Sequence, residues 1–240
     1  MAENDKDSSQ PLSSSVPSLD TKSFRAEVAD TLGMVSHISA IVLTGYVIYL
    51  AWPFPNLFSW HPVLMTLAFA FLMTEAILFF SPESSLVPKA QRPTKVNYHV
   101  ATMIAAIVCG FSGFTIIYIN KNNSNKDHFT SWHGTFGLIV VCYMCVQATG
   151  GVITRYPKLL ASKLKPAKLK LYHATSGLFL FILVCATFVL ALFSNWFVTN
   201  SSDLGWYICL MVIALLSLMV MNQVTTEYVP RAFKKPSQQY

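Results

Sequence analysis

Long apolar stretches separated by short polar ones run through most of this chain. Residues 31–74, 96–120, 128–154, 171–202 and 204–226 contain no Asp, Glu, Lys or Arg. Each helical crossing of a bilayer needs ~20 apolar residues, and the first window, divided by Pro53 and Pro55, is long enough for two. The pattern therefore predicts six spans, at about 34–52, 60–80, 97–119, 131–151, 172–194 and 204–223. Backbone groups in lipid must be satisfied within their own segment, so the spans are read as helices. The expected fold class is all-α: a polytopic membrane protein with one six-helix domain over residues 31–228. Residues 1–30 hold seven Ser and two Pro with mixed charge and read as a disordered tail with no cleavable signal, and 229–240 as a second tail.

Composition agrees: 53% of the 240 residues are hydrophobic and 12% are charged, against about 25% charged in soluble domains. Six spans put both termini on one side. That side also holds the 81–96 and 152–171 loops, and it carries 15 of the 17 Lys and Arg, leaving Lys121 and Lys126 opposite. By the positive-inside rule the basic side is cytosolic. Two glycosylation sequons, Asn122-Asn123-Ser124 and Asn200-Ser201-Ser202, fall on the other side, as acceptor sites must. The net charge of +6 thus sits at membrane borders beside lipid headgroups, and nucleic-acid binding, which needs a basic face on a folded domain, is excluded. Cys109, Cys142, Cys145, Cys185 and Cys209 all lie inside spans, so no disulfide framework is implied. The C-x-x-C of Cys142 and Cys145 is read as packing, because a redox thiol needs a polar setting.

Polar side chains inside spans are functional candidates, and four histidines are placed in a pattern. His61 and His133 lie just inside the starts of spans two and four, on the poorly charged side. His99 and His173 lie just inside the starts of spans three and five, on the basic side. An internal repeat reinforces the pairing. Span two reads Ser59-Trp60-His61, thirteen residues, Glu75-Ala76; span four reads Ser131-Trp132-His133, thirteen residues, Gln147-Ala148. Spans three and five share Tyr98-His99 and Tyr172-His173. The hairpin of spans two and three is thus copied as four and five, a parallel repeat about an axis along the membrane normal.

Facing helices of a bundle are where cofactor ligands sit. Zinc usually needs a third or fourth N, S or O ligand, and no Asp, Glu or Cys occurs at matching depth. Haem needs two axial ligands, and two His per iron leave no open position, which restricts the chemistry to one-electron transfer. Trp60, Trp132, Phe58, Phe136 and Tyr98 suit a flat macrocycle and equally suit an interface belt. Each His lies about a turn inside its span, so the irons would be on the order of 20 Å apart across a ~30 Å core. The residues therefore point to a transmembrane electron relay. The competing classes are a metal-ion transporter using the histidines and a non-catalytic membrane scaffold.

The W-H-P of Trp60–Pro62, the S-W-H-G of Ser131–Gly134 and the K-L-Y-H-A-T-S-G of Lys170–Gly177 resemble the cytochrome b561 family of ascorbate-dependent transmembrane oxidoreductases. The runs F-S-W-H-P-V-L-M from Phe58, M-T-E-A-I-L-F-F-S-P-E-S-S-L from Met73, Y-P-K-L-L from Tyr156 and M-N-Q-V from Met221 are similar to the animal subgroup of domain-containing members, over about residues 30–230. The resemblance implies two haem b groups within the four central helices, spans two to five. It makes His61 and His133 the axial ligands of the non-cytosolic haem and His99 and His173 those of the cytosolic one, the same pairs that span direction gives. It also implies cytosolic ascorbate as donor and monodehydroascorbate or a ferric chelate as acceptor. An endoplasmic reticulum or vesicle membrane is implied as well, and a homodimer is compatible with it. The family's best-known members carry a basic and aromatic ascorbate signature before the third span, where this chain reads S-P-E-S-S-L-V-P-K-A-Q-R-P-T-K.

An anionic donor is drawn to cations beside the cytosolic haem; Lys95, Arg92, Arg155, Lys168 and Lys170 are the candidates, though border cations also set topology. Across the membrane, His128 in the 120–130 loop is a candidate for the acceptor. Glu75, the one carboxylate inside a span, lies fourteen residues after His61 and is expected on nearly the same helix face, level with the cytosolic haem. It is read as coupling proton uptake to electron uptake, the alternative being a structural hydrogen bond, which Gln147 at the equivalent repeat position fits equally. His37, outside the repeat, is read as structural.

Overall fold

A computed structural model describes residues 21–82, 84–160 and 165–233. In chain order the elements are α1 (Thr21–Ala51), a 3-10 turn (Leu57–Ser59), α2 (Trp60–Thr66), a π-helical segment (Leu67–Leu72), α3 (Met73–Leu78), α4 (Arg92–Asn123), α5 (Trp132–Arg155), a 3-10 turn (Pro157–Leu160), α6 (Pro166–Leu192), α7 (Asn195–Asn200) and α8 (Asp203–Phe233). Six stretches are long and apolar enough to cross a membrane, the second being Leu57–Leu78, which is built from α2, the π-helical segment and α3.

Local chemistry starts these helices where the spans begin. The Ser131 hydroxyl caps α5 by accepting from the Gly134 amide, and Ser194 caps α7 through Phe197. Pro93 in the first turn of α4 and Pro166 at the head of α6 occupy positions where a missing N–H costs nothing. The helices overrun the apolar windows. α1 begins at Thr21, so the last ten residues read as tail are helical, and α8 continues to Phe233, into the second expected tail. Residues 1–20 and 234–240 lie outside the described residues. The one-turn α7 had no signature of its own in the hydropathy pattern.

Two hairpin units form the centre: the second span packs against α4, and α5 packs along α6. Gly110 and Gly113 allow the first contact, since a Cβ on them would lie 3.2 Å from Phe69 Cζ and from Leu64 Cβ, respectively. The outer helices α1 and α8 pack on each other and on opposite units, α1 on α2 and α8 on α6. Their core is Leu43, Val47, Phe69, Leu180, Phe181, Ile213 and Val220, all buried. Trp206 Nε1–H donates to the Leu192 carbonyl (2.9 Å), tying α8 to the end of α6. Outward-facing side chains such as Ile41, Val146, Phe179 and Met211 are apolar and exposed, the surface a lipid solvent requires.

Candidate functional site

The four repeat histidines meet in two pairs, each joining one hairpin unit to the other. His61 on α2 faces His133 on α5, with ring centroids 6.3 Å apart and planes at 80°. His99 on α4 faces His173 on α6, also at 6.3 Å, with planes at 87°. A metal–imidazole bond of about 2.0 Å and a ring radius of about 1.15 Å put two centroids about 6.3 Å apart when one metal atom lies midway between them. Both pairs therefore fit a single iron between two imidazoles. Among the described residues no group of three or more His, Cys, Asp or Glu converges, so each pair supplies two donors, the set an axially ligated haem requires.

Hydrogen bonds orient the rings. Nδ1–H of His61 donates to the Gly113 carbonyl (2.9 Å), that of His99 to Ala76 (2.9 Å) and that of His133 to Thr187 (3.1 Å). Carbonyls only accept, so in these three rings Nδ1 carries the hydrogen and Nε2 keeps its lone pair free for a metal. His173 differs. The Gln147 amide nitrogen, a donor, lies 3.1 Å from His173 Nδ1 and donates to the His173 backbone carbonyl at 2.7 Å, while Ser176 donates to Gln147 Oε1 at 2.7 Å, so no carbonyl fixes the hydrogen on Nδ1 of this ring as it does in the other three. Gly150 and Gly151 leave room for this ring: a Cβ on Gly151 would lie 3.3 Å from His173 Cε1.

Glu75 does not share the face of His61. Fourteen residues of uninterrupted α-helix return to within about 40° of the starting face, and α5, which has no interruption, obeys: His133 and Gln147 both reach α6. The second span contains the π-helical segment, whose wider turn takes about one extra residue and rotates the rest of the span by about 100°. His61 accordingly bonds α4, whereas Glu75 points to α1, with Oε1 2.7 Å from Nδ1 of His37. His37 Nε2–H donates to the Ser84 carbonyl at 2.7 Å. The depth expected for Glu75 holds, because the neighbouring Ala76 carbonyl receives the His99 hydrogen bond.

The basic candidates divide. The Arg92 guanidinium lies 6.0 Å over the Phe80 ring, which in turn lies 5.2 Å from His99. Arg155 Nη2 donates to Asn97 Oδ1 (2.8 Å), two residues before His99. Lys95 is half-buried in the first turn of α4, and Lys168 and Lys170 are exposed in the first turn of α6. Sequence reasoning missed Phe80, Asn97 and the contact of Gln147 with His173; the matching repeat positions of Gln147 and Glu75 were the available signal for the last. On the opposite side His128 stacks on Tyr118 (4.2 Å, 20°), and its Nε2–H donates to Asn122 Oδ1 at 2.8 Å, so the sequon side chain is engaged. Trp60 stacks on Phe54 (4.7 Å), and Trp132 is exposed, in keeping with the interface belt.

The family model of eukaryotic cytochrome b561 matches residues 60–198, which contain all four paired histidines. The chain is 43% identical over 204 residues to transmembrane reductase CYB561D2 of Mus musculus, covering 85% of this chain and 91% of the relative. It is 36% identical over 199 residues to probable transmembrane reductase CYB561D1 of Homo sapiens (83% and 86%). To transmembrane ascorbate ferrireductase 1 of Arabidopsis thaliana it is 29% identical over 160 residues (65% and 64%). Six apolar helices, imidazoles paired across helices and a family match over more than half its length place the chain in the cytochrome b561 family of haem b-binding transmembrane reductases.

Proposed function

We propose that this protein carries electrons across a membrane through two haem b groups, one held by His61 and His133 and the other by His99 and His173. The observation that carries the reading is the equal 6.3 Å spacing of both imidazole pairs, each formed across two helices. Haem held by two imidazoles at each site would supply one-electron transfer. The chain's own residues do the rest. Gly113, Ala76 and Thr187 hold three ligand rings in the tautomer that offers Nε2, and apolar side chains between the two levels exclude water.

The basic side, with both termini, is cytosolic by its cation excess. Ascorbate is the donor in this reading, an assignment supported by the name of the Arabidopsis relative. Arg92, Lys95 and Arg155 around the head of α4 and Lys168 and Lys170 on α6 supply the field that attracts an anion. On the other side the acceptor is monodehydroascorbate or a ferric chelate, and His128 with Tyr118 offers an aromatic and imidazole surface to it. Ligands confined to two per site, near the two faces, favour a relay over a transporter, which needs polar groups and broken helices at the midplane.

Sealed vesicles test this. With the purified protein in vesicles that contain a ferric chelate, ascorbate added at the basic face should reduce the trapped iron without a diffusible mediator. Intact haem spectra with no trapped iron reduced would overturn the reading.

A further inference from the structure

Half-buried His37 and buried Glu75 form an ionisable pair on the half of the membrane that holds His99 and His173, and the electron path does not use them. Glu75 is 6% exposed. Nε2 of His37 faces the Ser84 carbonyl, which only accepts, so Nε2 carries a hydrogen. Nδ1 then shares one proton with Glu75 Oε1 across 2.7 Å, whichever atom holds it. The second carboxyl oxygen, Oε2, is buried and has no hydrogen-bond partner among the described residues. With one proton shared between Nδ1 and Oε1 the pair is electrically neutral, so a second proton at Oε2 gives it a net positive charge, which an electron received on the same half of the membrane offsets.

The surroundings are built for this pair. The π-helical segment turns Glu75 toward α1, and Gly33, one turn before His37, lets Ser84 lie on that helix. A Cβ on Gly33 would come 2.8 Å from Ser84 Cα. Toward the electron path, Glu75 is joined by one peptide unit to Ala76, whose carbonyl receives the Nδ1–H of His99. Charges so close in an apolar interior interact far more strongly than in water.

We propose that the His37–Glu75 pair is a proton-binding site that takes up one proton at Glu75 Oε2 for each electron received at the His99–His173 site. The inference rests on the two-haem reading above. An ene-diol donor of the ascorbate monoanion type loses one electron and one proton and becomes a radical anion. The electron goes to the His99–His173 site and one proton is bound at Oε2, with no bond between heavy atoms made or broken. When the electron moves on to the His61–His133 site, the proton leaves on the His37 side, where the Ser84 carbonyl lies. The Ser84 carbonyl lies against His37 of the pair, and His99 from α4 reaches Glu75 through Ala76. On α8 the neutral Gln223 donates to the Ile77 carbonyl, two residues after Glu75, and Glu227 follows in the chain one turn on; Lys89, Arg92 and Lys95 come later in the chain than Glu75.

The test is a potentiometric titration of the full-length, haem-loaded protein at several pH values, with redox-difference infrared spectra of the same samples. In the wild type, the potential of one b-type component should fall by about 59 mV for each tenfold drop in proton activity, the one-electron, one-proton value. The other component should stay flat, and a protonated-carboxyl band should appear on reduction. Glu75→Gln should abolish both the slope and the band while keeping both haem components, and His37→Gln should displace the pH range of the slope. A wild-type protein with no slope and no carboxyl band overturns the proposal, as does Glu75→Gln with a wild-type slope. A wild type with a single b-type component defeats the two-haem reading instead, so the two failures are distinguishable.

Discussion

Replacing Gln147 by Leu separates orientation of a ligand from ligation itself. The side chain makes three short polar contacts: to His173 Nδ1 at 3.1 Å, to the His173 carbonyl at 2.7 Å and from Ser176 Oγ at 2.7 Å. The Ser176 hydroxyl also lies 3.3 Å from the His173 carbonyl, so one of the three is partly replaced in the variant. Only the Nδ1 contact touches the ring, the others holding the turn that carries it, so at about 1 kcal/mol net for each bond lost His173 and its turn together lose about 1–3 kcal/mol of orientation. Groups that hold a metal-ligating imidazole typically matter by about 10- to 100-fold in affinity, about 1.4–2.7 kcal/mol, and the two estimates agree. The assay is haem transfer from the purified protein to an excess of haem-scavenging apoprotein. One b-type component should become 10- to 100-fold easier to remove while the other keeps its affinity. Gly177→Ala should act in the same direction, because its Cβ would lie 2.7 Å from Gln147 Nε2. Wild-type affinity at both sites in Gln147→Leu would refute the role assigned to this amide.

Gly113→Leu forces in a side chain whose Cβ alone would lie 3.2 Å from Leu64 Cβ, next to the carbonyl that orients His61. Overpacking of this kind costs about 1–3 kcal/mol, and a thermal melt should show a lower Tm with haem lost first from the His61–His133 component. Arg155→Ala removes the cation held by Asn97 near His99. The KM for ascorbate should rise severalfold with kcat unchanged and its salt dependence flattened, the pattern for an exposed charge worth about 1 kcal/mol or less. Cys142 and Cys145 are exposed free thiols on a membrane-spanning helix, so the Cys142→Ser, Cys145→Ser double variant should transfer electrons within about twofold of wild type. A larger loss in stopped-flow reduction would give the C-x-x-C spacing a redox role.

The six spans were legible because charged residues are so scarce that their positions mark the membrane borders, and the helical overruns at Thr21–Asp30 and beyond Tyr228 were hidden because polar residues carry no such mark. The histidine pairing came from counting spans, since alternate crossings bring His61 to the level of His133 and His99 to that of His173. What sequence reasoning missed is rotation. The segment Leu67–Leu72 reads L-A-F-A-F-L, apolar on every side, so nothing in it reveals the phase slip that sends Glu75 to His37 while its repeat counterpart Gln147 stays on His173. Phe69 against Gly110 shows how closely this segment packs on α4, a contact beyond the reach of periodicity. Arg155 on Asn97 and Arg92 over Phe80 were likewise invisible, because they depend on the angle between α4 and its neighbours.

The central claim is that four histidines hold two haems in two fixed pairs, and haem stoichiometry by pyridine haemochrome on the purified protein tests it most directly. Two haems per wild-type chain are predicted, falling to one in His61→Ala and in His133→Ala with the same component lost, and to one in His99→Ala and in His173→Ala with the other lost. A single haem per wild-type chain, or loss of the same component in His61→Ala and His99→Ala, would contradict the account.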